Sequence, residues 1–192
     1  MKNKKGFTLI ELLAVIVILA LLVLIATPAI TRIMTSSAKN SLKNEVVGMV
    51  SYLEDAFTEK MAKEVRSSDS ASSLTTTNIY NITASDGGSS RGYAYLCMTL
   101  KQLQEEQYMK KNLGESYGGY IQMWVPDGSG ATITYVNVTN GRYFIQGRMT
   151  DVSKSDFSAS QTAGEGITKP TSETKCPESA GTIPTGTNVQ EK

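Results

Sequence analysis

The chain has no histidine, two cysteines and one tryptophan in 192 residues. Without histidine the commonest general acid–base group is missing. With Cys97 and Cys176 as its only thiols, the chain cannot assemble the usual four-ligand zinc shell. No glycine-rich loop ends in Gly-Lys-Ser or Gly-Lys-Thr, which excludes nucleotide hydrolysis through a P-loop. Charge of one sign is scarce as well. Nineteen Lys and Arg face eighteen Asp and Glu, a formal net charge of +1, and a nucleic-acid binder needs a concentrated basic face. Asp127-Gly128-Ser129-Gly130 is too short and too poor in acids for an EF-hand loop. These absences argue against an enzyme, and the residues point to no cofactor and no metal.

What the chain does have is one long apolar run. Lys2, Lys4 and Lys5 form a short basic leader that ends at Gly6, and Phe7 follows. Residues 12–26 are then fifteen consecutive apolar side chains. Counted from Phe7 the segment is about 20 residues, broken only by Thr8 and Glu11, and a helix of that length crosses a ~30 Å hydrocarbon core. A carboxylate there costs roughly 2.5–3.5 kcal/mol on insertion scales, so Glu11 calls for a partner charge. An ordinary secretion signal has a shorter apolar region and an Ala-x-Ala-like cut beyond it, which Ala26-Thr27-Pro28-Ala29 does not supply. With the leader lysines ahead of the run, the N-terminus stays cytoplasmic and the larger C-terminal part lies outside.

The stretch Lys4-Lys5-Gly6-Phe7-Thr8-Leu9-Ile10-Glu11-Leu12-Leu13 closely resembles the processing site of type IV prepilins and the related pseudopilins. The resemblance covers about ten residues and combines a basic leader, glycine, Phe-Thr-Leu-Ile-Glu and a membrane-spanning run. It implies cleavage between Gly6 and Phe7 by a prepilin peptidase that also N-methylates Phe7, and an assembly role for Glu11. Pro28 matches a proline found late in the same hydrophobic segment. The function implied is a structural subunit of a type IV pilus. It would sit as a single-pass protein in the lipid bilayer before assembly and in a helical homopolymer on the cell surface afterwards. A membrane assembly platform and a separate ATPase would be its partners. The alternative is a pseudopilin of a type II secretion or competence system.

Beyond the membrane run, Leu42, Val46, Met49 or Val50, Leu53, Phe57, Met61 and Val65 recur in steps of three and four, an apolar helical stripe. Pro28 predicts a kink or local melting. Residues 67–92 are rich in Ser, Thr, Gly and Asn and read as a surface connection with a short strand near 78–82 and a turn at Asp86-Gly87-Gly88. Residues 99–107 read as a short helix capped by Thr99. A three-stranded antiparallel meander follows over 119–148, with Trp124 in the core and Asn140-Gly141 as a tight turn. The fold class expected is α+β, pilin-like: a long N-terminal helix, membrane-spanning then amphipathic, packed on a small antiparallel sheet. The division expected is a leader at 1–6, a membrane and filament-core segment at 7–30, an amphipathic helix at 31–66, a globular head at 67–152, and a partly disordered Ser/Thr/Gly-rich region at 153–192.

Cys97 and Cys176 both fall on the outer side. There one pair reads as a disulfide that fixes the middle of the C-terminal region to the head. Two separate buried thiols are the alternative, since sequence does not show proximity.

Overall fold

The computed structural model describes residues 8–63, 66–67, 78–110, 112–162 and 167–185. The chain divides into two compact units, Met1–Ala38 and Lys39–Lys192. Helix α1 (Leu9–Ala62) contributes to both. In the first unit every described residue from 8 to 34 is exposed. The helix continues without interruption through Pro28, so the melting anticipated there does not occur. Proline removes one N–H and leaves the Leu24 carbonyl without its usual donor. Cooperative helical bonding on both sides keeps the segment helical.

In the second unit α1 becomes one-sided. Leu42, Val46, Met49, Val50, Leu53, Ala56 and Phe57 are buried, as the three-and-four spacing dictates. Met61 is half-buried, and Val65 lies outside the described residues. The opposite side is solvated and carries the Glu59–Lys63 ion pair, one helical turn apart.

Six strands form one sheet in the order β1 (Arg66–Ser67), β2 (Ile79–Asp86), β3 (Ser89–Thr99), β4 (Gly118–Pro126), β5 (Ile133–Thr139) and β6 (Phe144–Arg148). All neighbours from β2 to β6 are antiparallel, and β1 is a two-residue parallel addition at the edge. The architecture is α+β, with a longer meander than the three strands read from the sequence. The Asp86-Gly87-Gly88 turn closes a hairpin rather than ending a connection. Asp86 pairs with Ser89, and Gly87 and Gly88 have φ of 58° and 94°, the left-handed pair that a two-residue hairpin loop requires. Asn140-Gly141 instead belongs to a four-residue loop, because Thr139 pairs with Phe144. The Asn140 side-chain oxygen accepts from the Arg142 and Tyr143 amides and shapes it.

Short helices bracket β4 to β6. Helix α2 (Leu100–Glu105) starts on a capping box: Thr99 Oγ1 accepts from the Gln102 amide, and the Gln102 side chain accepts from the Thr99 amide. Helix α3 (Met149–Val152) follows β6 directly.

Both faces of the sheet are covered. Ala94, Leu96, Met98, Ile121, Met123, Val136 and Val138 alternate onto one buried face, turned to the buried stripe of α1. The other face gathers Tyr80, Ile82, Tyr93, Tyr95, Cys97, Trp124 and Tyr135. Its cover is a strap of residues 167–185, from which Ala180 and Ile183 join the cluster. The strap adds to β2 through Ser85, whose amide donates to Gly181 O and whose carbonyl accepts from Ile183 N, both at 2.9 Å. Trp124, fully buried, donates its indole N–H to Ala180 O at 3.3 Å. The opposite edge, β6, is closed by a bridge from Phe144 to Ser160.

Three polar links tie α1 to the segments around the sheet. Lys43 donates to Lys154 O, Lys60 pairs with Glu106 at 2.7 Å, and the Tyr117 hydroxyl donates to Glu45 Oε2 at 2.7 Å. Burial, and then the bond to the Glu45 carboxylate, push the Tyr117 phenol up to about 12.

Two consequences are measurable. A Cβ on Gly118 would lie 2.1 Å from Thr171 O of the strap. Gly118→Ala therefore lifts the strap and lowers stability by about 1–3 kcal/mol in urea titrations, and wild-type stability would show that the two backbones do not touch. A phenol raised on folding contributes its stability fully below the unfolded value near 10 and loses it as pH rises through about 12. The difference between wild-type and Tyr117→Phe ultraviolet titrations should have its midpoint near that higher value; a midpoint of an ordinary phenol would remove the Glu45 bond.

Candidate functional site: the N-terminal membrane segment

The first turn of α1 is built around Glu11. Thr8 donates to Glu11 Oε2 with its amide and with its hydroxyl, each at 2.8 Å, and the Glu11 amide donates back to Thr8 Oγ1 at 3.3 Å. This is a reciprocal capping arrangement, and it satisfies donors that a helix N-terminus otherwise leaves open. The carboxylate also sits at the positive end of the helix dipole. Sequence reasoning singled out Glu11 but passed over Thr8. The signal was present, since Thr-x-x-Glu before an apolar run is the pattern of a capping box.

Thirteen residues beyond the last Thr8–Glu11 contact the chain enters its most apolar stretch, and there the hydroxyls turn inward to the backbone. Thr27 Oγ1 donates to Val23 O at 2.6 Å, and Thr31 and Thr35 repeat the pattern on Thr27 O and Thr31 O at 3.0 Å. Such bonds remove each hydroxyl as an unsatisfied group in a medium without water. Pro28 lies inside this ladder, exposed like its neighbours. The most apolar 18-residue window of α1 has a mean hydropathy of 3.3, and none of it is buried. α1 is thus long and apolar enough to cross a membrane.

Gly6 and Phe7, the residues at the expected cut, lie outside the described residues. Glu11 and Pro28 are separate positions on one helix and form no common cluster. Cys97 and Cys176 lie in the second unit and are joined as a disulfide, Cα to Cα 6.1 Å across a separation of 79 residues. Among the described residues no three His, Cys, Asp or Glu side chains come together as a metal-binding group.

Residues 1–27 match the family model described as the prokaryotic N-terminal methylation motif. No curated protein and no solved structure matches the chain. The N-terminus is a type IV prepilin-like signal leading into a long apolar helix, and the chain is a membrane-anchored protein of the pilin or pseudopilin kind at that end.

Removing the cap tests the local geometry. Thr8→Val takes away the hydroxyl, and an N-cap contribution of about 1 kcal/mol makes amide exchange over the first turn of α1 about fivefold faster in micelles. Unchanged exchange would show that Thr8 does not hold Glu11.

Proposed function

We propose that the chain is a structural subunit of a type IV pilus, assembled into a helical homopolymer through the first half of α1. The observation that carries this reading is the prepilin-type segment at 1–27 joined to a helix whose residues from 8 to 34 have no cover within the subunit. On this reading prepilin peptidase cuts between Gly6 and Phe7 and methylates the new amine. The leader at 1–6 is lost, the segment at 7–30 leaves the bilayer for the filament core, and the amphipathic helix at 31–66 carries the head outward. An assembly platform and a separate ATPase drive the transfer, because the chain has no P-loop of its own.

The chemistry follows from two groups. A freed α-amine has a reference pKa near 8 and stays cationic at neutral pH. Glu11 of one subunit then pairs with the Phe7 amine of a neighbour. A buried charge without its partner costs about 3–5 kcal/mol relative to the pair, enough to select one axial register. Apolar burial among the helices, about 25 cal/mol per Å2, supplies most of the remaining attraction. A pseudopilin would use the same pairing in a shorter fibre of a type II secretion or competence system. The 40-residue Ser/Thr-rich C-terminal region from 153 onward favours a displayed pilin.

Shearing cells and examining the released material by electron microscopy and mass spectrometry tests the proposal. The expected result is a fibre whose subunit begins at N-methylated Phe7, and a fall of about tenfold or more in yield for Glu11→Val with the membrane pool retained. Wild-type fibre yield from that variant would sink the pairing.

A further inference from the structure

The strap is fastened in two different ways along its length. Its distal part, residues 180–184, is held to the sheet by direct hydrogen bonds. Ala180 O accepts from Trp124, the Ser85 backbone bonds Gly181 and Ile183, and Pro184 O accepts from Arg148 Nε at 2.8 Å. Ala180 and Ile183 are 0 and 2 % exposed. Its proximal part is different. Residues 171–179 are all exposed or half-buried. Their Thr171–Thr174 hydrogen bonds stay within the segment. What fastens this part to the sheet is the Cys97–Cys176 bond, together with the passage of Thr171 over Gly118.

The two sulfurs are also unlike. Cys97 belongs to β3 and is 5 % exposed within the aromatic cluster, whereas Cys176 is half-buried on the strap. Both line an open cleft of about 510 Å3, together with Thr99, Lys101 and Glu178. A thiolate entering this cleft meets Cys176 first, since access decides which sulfur of a disulfide is attacked.

We propose that Cys176 is a thiol-exchange site: a dithiol attacks its sulfur through the cleft, and the exchange frees residues 171–179 while 180–184 stay on the sheet. In the first step one thiolate of the dithiol bonds to Cys176 Sγ, and Cys97 Sγ departs with the electron pair and takes up a proton. In the second, the other thiol of the reductant attacks its own sulfur in the mixed disulfide. Cys176 leaves as a thiolate, the reductant ends as a cyclic disulfide, and the protein holds two thiols. The reverse sequence, run by an oxidised dithiol, closes the strap. This inference is independent of the filament reading, because it concerns the second unit alone.

The test uses the oxidised full chain in detergent. A monothiol, 2-mercaptoethanol, traps the mixed disulfide, and the adduct on Cys176 should exceed that on Cys97 by about tenfold or more. Dithiothreitol should then raise tryptic cleavage after the exposed Lys175 by about tenfold, while the emission maximum of Trp124, the only tryptophan, stays unchanged. Equal adducts on the two cysteines would overturn the assignment of Cys176 as the exchange site. A red shift of Trp124 in step with cleavage, or no rise in cleavage, would overturn the partial release.

Discussion

The constraint on which the rest depends is that the first part of α1 has nothing within its own subunit to lie against. Its side chains are almost all Leu, Ile, Val and Ala, and each described residue from 8 to 34 is exposed. Water is a poor solvent for such a surface. Either lipid or other apolar helices must replace it, and the helix suits both because its backbone is satisfied internally. The threonine hydroxyls follow the same rule by bonding back to carbonyls one turn earlier. Only Glu11 keeps a full charge in this environment, and it does so at the helix end where the backbone donors are.

The second unit solves a different problem, that of a sheet with two apolar faces. A five-stranded antiparallel sheet usually leaves one face to water. Here tyrosines and Trp124 occupy the face away from α1, so that face also needs a cover. The strap provides it with few apolar residues of its own. Ala180 and Ile183 fill the contact, and backbone bonding to Ser85 supplies direction. A segment so poor in large side chains would not order by burial alone. The cystine offsets part of that deficit by closing a loop of about 80 residues in the unfolded chain, an effect of about 2–4 kcal/mol. Tail and sheet therefore depend on each other: the aromatic face is dry because the strap lies on it, and the strap lies there because it is tied.

Where periodicity was strong, the sequence was sufficient. The stripe of Leu42, Val46, Leu53 and Phe57 and the cap of Thr99 on α2 follow from side-chain type and spacing. So does the meander from β4 to β6. Strands β2 and β3 were harder to read. In β2 the buried Tyr80, Ile82 and Ala84 alternate with polar residues in a Ser/Thr-rich neighbourhood that resembles a loop in composition. β3 is buried on both faces from Tyr93 to Met98, so it shows no alternation at all. The hairpin glycines between them were visible as a turn, yet a turn signal does not say that two strands meet there. At the N-terminus the motif residues were legible and their local geometry was not. Glu11 drew attention by its charge, whereas Thr8 is an unremarkable residue until its hydroxyl and amide are placed on the carboxylate.

That placement bears on how the proposed pairing would work. One oxygen of Glu11, Oε2, takes both Thr8 donors. A carboxylate has about four acceptor positions over its two oxygens, so the cap leaves room for a further donor. A neighbouring amine then adds to the Thr8 bonds and need not displace them. The cost of carrying the charge through lipid is reduced before assembly by hydrogen bonds and the helix dipole, and only the Coulombic share awaits the partner subunit. Hydrogen bonding within the subunit does not depend on register, whereas attraction between opposite charges in a low-dielectric core falls off as they separate. On this division of labour Thr8 makes Glu11 tolerable in the membrane, and the amine makes one position in the filament better than the rest.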